Sequence, residues 1–184
     1  MDYPTYEDVQ NARQQLSNLA YAHWIHDDLF KWNWWLQLVL SIVPYIIWWF
    51  LLDKRRGIEI LLYGAIIAIL AIILDNIGTD LLWWEYPDKL VQVVPPLFPA
   101  DIVLVPVWMM LVYQIFSGSS KLFLIANIIL GAFLAFVCEP VFIWMNIYKL
   151  YSWNLTYSFL FYIVSSVLAR WIVMTMKVRQ RQYR

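Results

Sequence analysis

Residues 58–79 read IEILLYGAIIAILAIILDNIGT. Crossing the hydrocarbon core of a bilayer takes roughly 20 consecutive, mostly apolar residues, and this stretch supplies them with one acid, Asp75, well inside it. Its small and polar residues, Gly64, Ala68, Ala71, Asp75 and Gly78 or Thr79, step by three or four positions. That is the spacing of one face of a helix, and in lipid such a face turns toward neighbouring helices. The stretch therefore predicts a membrane-spanning helix whose packed face carries a carboxyl group.

Four further segments qualify by the same criterion, at about 32–52, 98–116, 122–144 and 155–176. The third is the least regular, because Pro99, Asp101 and Pro106 interrupt its first half. Composition points the same way: 62% of the 184 residues are hydrophobic, 18% aromatic and only 14% charged, with a mean hydropathy of +0.61. A soluble domain of this size is far more polar. The expected fold is an all-α integral membrane protein: a bundle of about five transmembrane helices over 32–176, an amphipathic N-terminal segment over 1–31 and a basic tail over 177–184.

Lys54, Arg55 and Arg56 follow the first span, and Lys177, Arg179, Arg181 and Arg184 follow the fifth. The positive-inside rule makes both clusters cytoplasmic. An odd number of spans then places the N-terminus outside, Lys121 inside, and the loop from Trp83 to Pro96, bounded by Pro87, Pro95 and Pro96, outside. Most of the twelve tryptophans fit interfacial belts: Trp32, Trp34, Trp35, Trp83, Trp84, Trp144 and Trp153 near one boundary, Trp48, Trp49 and Trp171 near the other. The first thirty residues lack the basic, apolar and small-residue pattern of a cleavable signal peptide, so the first span is expected to act as its own insertion signal. Within residues 6–30, Leu16, Leu19, Ala20, His23 and Ile25 or His26 share one side of a helix, which is expected to lie on the outer face or cap the bundle.

Several function classes drop out. The formal net charge is +0, so there is no basic field for nucleic acid. The single cysteine, Cys138, excludes an internal disulfide and a multi-thiolate metal site. His23 and His26, followed by Asp27 and Asp28, could hold a divalent ion, but without a third histidine they read better as an interfacial pair. No metal or cofactor is expected. Asn154-Leu155-Thr156 matches a glycosylation sequon, relevant only in a eukaryotic secretory pathway.

Polar stripes mark where chemistry is possible. The first span carries Asn33, Gln37, Ser41 and Pro44; the fourth Asn127, Gly131, Ala135 and Cys138 or Glu139; the fifth Ser158, Tyr162, Ser165 and Ala169. Counting from the cytoplasmic ends at the helical rise, Asp75, Glu139 and Ser158 lie roughly 27 Å up, and Gln37 and Tyr162 roughly 21 to 23 Å. Asp101 enters at the same level from the third span. Asp75, Asp101 and Glu139 are thus expected to share one pocket in the outer third of the bundle, with Asn33, Gln37, Asn76, Trp84, Tyr86, Trp108, Trp144, Ser158 and Tyr162 as its ligand-binding residues. No Arg or Lys stands in the outer half of a span to neutralise the acids, so at least one is expected to hold its proton and to act as a donor. The bland alternative for the same acids is helix capping or hydrogen bonding between helices. Asp53, Glu59 and Arg170, in the inner half, can snorkel or pair at the cytoplasmic interface. Spans two and four also echo one another, each ending in an acid followed by an aromatic cluster, Trp83 to Tyr86 and Trp144 to Tyr148; shared membrane constraints account for that as well as a repeat does.

The runs Trp32-Asn33-Trp34-Trp35-Leu36, Asp53-Lys54-Arg55-Arg56, Leu74-Asp75-Asn76-Ile77-Gly78, Tyr86-Pro87-Asp88-Lys89-Leu90, Tyr113-Gln114 and Glu139-Pro140 together resemble an uncharacterised family of small five-span membrane proteins of spore-forming Gram-positive bacteria, over nearly the whole chain. That resemblance implies no activity. More faintly, Trp84-x-Tyr86 followed by Pro99-Ala100-Asp101 is similar to a W-x-Y and P-x-E-E pattern in membrane-embedded isoprenoid cyclases, the lycopene cyclase domain and the small membrane terpene cyclases. It implies ring closure started by intramembrane acids, with Ile102 here in place of the second one.

Three readings follow. In the first, an apolar isoprenoid or lipid reaches the pocket, an acid protonates an alkene or epoxide, and Trp84, Tyr86, Trp108 and Trp144 stabilise the cation. In the second, the pocket binds a lipid, an amine or a small apolar ligand without chemistry, in a sensing or structural envelope role. Proton-coupled transport is the third, opposed by polar groups gathered near one side and by five spans without clear alternating-access machinery. The expected partners are membrane lipids, and nucleic acid is not among them.

Overall fold

A computed structural model describes residues 3–92 and 97–182; of the expected outer loop Val93, Val94, Pro95 and Pro96, and of the basic tail Arg184, lie outside the described residues. Among the described residues seven α-helices run in chain order: α1 (Tyr6–His23), α2 (Trp32–Leu51), α3 (Gly57–Asp80), α4 (Val105–Phe116), α5 (Ser120–Phe133), α6 (Glu139–Trp144) and α7 (Leu155–Gln182). A wide π-type turn, Pro99–Leu104, leads into α4, and another, Leu134–Cys138, joins α5 to α6. Five of the resulting helical stretches are long and apolar enough to cross a membrane: Trp32–Leu51, Lys54–Asp80, Pro99–Phe116, Ser120–Trp144 and Leu155–Gln180.

Four of these close a ring in which α3 packs on α4, α4 on α5, α5 on α7 and α7 back on α3. The first span, α2, stands outside the ring against the Pro99–Leu104 turn and α4. The third span, the least regular in sequence, is the most enclosed: 50% of it is buried, against 11% of the first. Its prolines are accommodated locally. Pro106 has no N–H to offer the carbonyl of Ile102 four residues back, and that carbonyl instead accepts the Tyr45 hydroxyl of α2 at 2.7 Å. The break in the helix ladder thus becomes an anchor for the first span.

Small residues set the close approaches between helices. A Cβ on Gly64 would run into Met110 of α4, and one on Gly78 into the indole of Trp84. Tyr63 stacks on Tyr113 with ring centroids 4.2 Å apart in the ring interior. At the basic end Glu59 accepts from Arg56 at 3.0 Å, Lys177 at 2.7 Å and Tyr113 at 2.8 Å. Arg170 donates to the Ser117 carbonyl and lies over Phe123, 4.8 Å from its centroid. Asp53 caps Arg55 N–H, and Gln114 links Asp53 N–H to the Leu51 carbonyl. Of the inner charges, Glu59 is ion-paired with Arg56 and Lys177, while Asp53 and Arg170 are held by backbone and hydroxyl groups.

The opposite end is built from two copies of one local structure. After Asp75, the Gly78 carbonyl accepts from Trp83 N–H and Leu82 adopts φ 54°. After Glu139, at the same offsets, the Phe142 carbonyl accepts from Ile147 N–H and Asn146 adopts φ 59°. Both are left-handed helix closures of the Schellman type. The chain then enters β1 (Trp84–Glu85) and β2 (Lys149–Leu150), which pair antiparallel with Glu85 opposite Lys149. The echo read in the sequence is therefore present in the backbone, with equivalent residues facing each other across the ladder.

The N-terminal helix α1 begins with a capping box between Thr5 and Asp8 and buries none of its residues. Leu16 and Leu19 of its expected apolar side are 67% and 70% exposed. It stands off the ring, and Leu16, Ala20 and His23 border a groove against the loop that follows α3.

Candidate functional site

At the end of the ring away from Lys54–Arg56, the two π-type turns and the paired loops enclose a cavity of about 510 Å³ with a predominantly apolar lining. That size suits a ligand of drug or lipid-fragment dimensions. Eight of the residues expected at a site line it: Asp75, Asp101, Glu139, Trp84, Tyr86, Trp108, Ser158 and Tyr162. Trp108, Ile47 and Phe133 also line it, yet are 44%, 52% and 44% exposed on the outside of the bundle. The cavity thus reaches the surface sideways between α2, α4 and α5, where a bilayer would present acyl chains.

Each acid is held differently. Asp75 Oδ1 accepts from Trp84 Nε1 at 2.9 Å and from the Tyr86 hydroxyl at 2.6 Å. The indole reaches it by lying on Gly78, one turn further along the same helix face. Glu139 accepts from Ser158 at 2.9 Å through Oε2 and from the Tyr162 hydroxyl at 2.8 Å through Oε1. Trp153 in turn donates to Ser158 Oγ at 2.9 Å. Asp101, from the turn before α4, lies side chain to side chain with Asp75. Asp75 Oδ2 and Asp101 Oδ2 are both buried and, among the described residues, have no hydrogen-bond donor. Two charged carboxylates in contact inside an apolar cavity repel strongly and leave lone pairs unsatisfied, whereas one proton between them answers both problems.

The phenols around the acids are donors. Burial, followed by the charge of Asp75, holds the Tyr86 hydroxyl well above the ordinary tyrosine range. Burial, with Glu139, Asp75 and Asp101 nearby, does the same to Tyr148, which stacks on Tyr86 with centroids 5.4 Å apart. Lys89 is the nearest lysine on the loop, and burial pulls its ammonium below the ordinary range although Asp75, Asp28 and Glu85 oppose the shift.

Four expected site residues lie elsewhere. Asn33 donates to Asp88 and to the Met145 carbonyl, the latter at 3.1 Å. Gln37, fully buried, donates to the Asp88 carbonyl and accepts from Leu90 N–H, both at 3.1 Å. These two, with Trp34 on the Leu90 carbonyl, Trp24 on the Lys89 carbonyl and Asp28 on Lys89 N–H, strap residues 88–90 to the start of the first span. Asn76 is exposed and donates back to the Ile72 carbonyl, and Trp144 is exposed outside the cavity. Conversely, the cavity takes Tyr148, Trp153, Phe142, Phe161 and Pro44, which sequence reasoning passed over. For Tyr148 a signal existed: it follows Glu139 at the same interval as Trp84 follows Asp75.

No family model, curated protein or solved structure matches the chain. The site is therefore read from its own chemistry. His23 contacts Asp27 at 3.3 Å and Asp28 at 3.4 Å, and among the described residues no group of three or more His, Cys, Asp or Glu is placed to hold a metal ion. Asn154 Oδ1 accepts from Thr156 N–H at 2.8 Å at the start of α7, so the sequon asparagine serves as a helix cap here.

Proposed function

We propose that this is a multi-pass protein of the cell membrane, N-terminus outside and C-terminus cytoplasmic, that takes an apolar isoprenoid or other lipid from the bilayer and rearranges it by proton transfer, as in a terpene-type cyclisation. The observation that carries the reading is the pair Asp75 Oδ2 and Asp101 Oδ2, buried beside a large apolar cavity and without a donor among the described residues. The sideways opening past Trp108 and Ile47 supports access from lipid rather than from water.

In this reaction Asp101 holds the proton and Asp75 is its anionic partner, supported by the Trp84 and Tyr86 donors. The proton adds to one carbon of a substrate alkene, and a carbocation forms at the other. A second π bond attacks that cation, a carbon–carbon bond closes, and the new cation lies against aromatic faces such as Trp84, Trp108 and Trp153. Glu139, held by Ser158 and Tyr162 across the cavity, removes a neighbouring proton and restores an alkene. Nothing is oxidised or reduced, and substrate and product are isomers. Trp84, Tyr86 and Asp101 are the residues that carry the resemblance to intramembrane cyclases, and all three meet at Asp75.

The test compares untargeted lipid extracts of cells making wild-type protein with those making Asp75→Asn/Asp101→Asn/Glu139→Gln at equal membrane abundance. A species of unchanged mass but shifted retention, present only with wild type, is the expected outcome; matching extracts would remove the enzymatic reading. A second reading rests on the same two oxygens, since they also fit the ammonium group of a lipophilic amine. In that case the extracts match and an amine co-purifies with wild type but not with the Asp101→Asn variant.

A further inference from the structure

The turn between α4 and α5, residues 117–120, is gripped by two arginines from different parts of the ring. From just ahead of α3, Arg56 donates to Ser117 Oγ at 2.7 Å and to the Gln114 carbonyl at 3.1 Å. From α7, Arg170 donates to the Ser117 carbonyl at 3.0 Å and through both terminal nitrogens to Ser120 Oγ at 3.1 Å. Lys121 follows the turn and is exposed. Carboxylates at this end are already engaged. Glu59 is shared between Arg56 and Lys177, and Asp53 caps Arg55 N–H. Among the described residues Arg170 has no carboxylate partner: its contacts are a carbonyl, a hydroxyl and the face of Phe123, and its Nε is buried without an acceptor.

A guanidinium near the end of an apolar span, bonded only to neutral groups, keeps its whole charge in a medium of low dielectric and so attracts an anion. Room for one exists beside the turn. A Cβ on Gly118 would meet nothing within 4 Å, and Gly118, Ser120 and Lys121 are exposed. The donors there suit a phosphate: Arg170 Nη1 has a second hydrogen beyond the one on Ser120, the Ser120 hydroxyl accepts from Arg170 and keeps its own hydrogen to give, and Lys121 adds an ammonium. The flanking residues point to the source of that phosphate. Leu122, next to Lys121, and Trp171, next to Arg170, are 53% and 65% exposed, and both belong to stretches long and apolar enough to cross a membrane. A phosphate at the turn therefore has apolar surface alongside it for acyl chains. We infer that Arg170, Ser120 and Lys121 form a binding site for the phosphate of an anionic phospholipid at the basic end of the bundle. A zwitterionic headgroup brings its own cation to the same place, where Arg56, Arg170 and Lys121 oppose it, so the site selects lipids of net negative charge. It lies at the opposite end of the ring from the acidic cavity and does not depend on the chemistry proposed there.

The experiment follows the melting temperature of the purified full chain in detergent, by tryptophan fluorescence, while dioleoylphosphatidylglycerol, dioleoylphosphatidylcholine or inorganic phosphate is added. Wild type is expected to melt higher with phosphatidylglycerol and to change little with the other two. In Arg170→Gln, which can still bond the Ser117 carbonyl, the half-saturating concentration of phosphatidylglycerol should rise about tenfold, the lower range for a hydrogen bond to a charged group. Lys121→Gln, an exposed position where the fold is not at risk, should raise it about fivefold, as expected for one cation at a lipid surface. Lys54→Gln removes an exposed cation from the same end but away from the turn, and should leave the value unchanged. Equal responses to the two lipids overturn the proposal, as does a wild-type value in Lys121→Gln. A loss in Lys54→Gln as large as in Lys121→Gln reduces the site to a diffuse positive field and overturns it too. Stabilisation by inorganic phosphate equal to that by phosphatidylglycerol overturns the lipid as the source of the anion. None of these results bears on the Asp75–Asp101 pair.

Discussion

Asp75 and Glu139 occupy the same place in two copies of one local structure, each a few residues before a left-handed helix closure and a strand, with the strands paired so that Glu85 faces its own counterpart Lys149. Equivalent residues opposed in an antiparallel ladder define a local twofold axis. The ring contacts conform to it, because α3 on α4 corresponds to α5 on α7, and α4 on α5 to α7 on α3. Both acids thereby line one cavity. Asp101 breaks the symmetry: it lies against Asp75, whereas the fifth span meets Glu139 with the hydroxyls of Ser158 and Tyr162. A paired acid on one side and a single acid on the other is an asymmetry the proposed donor and base roles use.

Gly78 is expected to be intolerant of a side chain. A Cβ there meets the rigid indole of Trp84, which Asp75 and the Trp153 ring hold in place. Overpacking of this kind costs about 1–3 kcal/mol, more than the roughly 1 kcal/mol that alanine gains over glycine in a helix. Gly78→Ala should lower the melting temperature in detergent and alter the near-ultraviolet tryptophan spectrum. Gly64→Ala runs into Sδ and Cγ of the buried Met110 and should also lower the melting temperature, by less than Gly78→Ala because the thioether chain can turn and the indole cannot.

Gln37 is expected to act as a strap rather than as a ligand. Gln37→Leu keeps the volume but leaves the Leu90 N–H and the Asp88 carbonyl without partners, at about 1–3 kcal/mol for each buried group. Amide exchange at Leu90 should rise markedly, while exchange in the α3–α4 contact stays unchanged. Equal exchange at Leu90 in both proteins would contradict this role.

Much of this was legible from residue spacing. The apolar helices, the shared level of Asp75, Asp101 and Glu139, and the ion pairing of Glu59 follow from apolar runs and from stripes of three or four. Asn33 and Gln37 misled for a physical reason: a polar side chain facing inward reports a partner but not its kind, and theirs is the backbone of residues 88–90. Asn76 satisfies its amide within its own helix, which spacing cannot distinguish from binding. Tyr148 and Trp153 were hidden because their places depend on the β1–β2 pairing, a contact between loops distant in sequence. The third span read as irregular and proved the most enclosed, since its prolines disturb the hydropathy pattern while the π-type turn and Tyr45 absorb them.

The orientation has its own check. In a Cys138→Ala background, Thr156→Cys is expected to react with a membrane-impermeant maleimide in intact cells, and Arg55→Cys only after permeabilisation. Both positions are exposed. The reverse pattern would place the cavity at the cytoplasmic face.

Proton-initiated rearrangement at the Asp75–Asp101 pair is tested most directly by the fate of solvent hydrogen. Membranes containing the wild-type protein, incubated in D₂O with the lipid extract of cells making Asp101→Asn, should yield an isomeric product carrying one deuterium on carbon, while membranes with Asp101→Asn yield none. A product without deuterium, or the same labelled product from both membranes, would contradict the account.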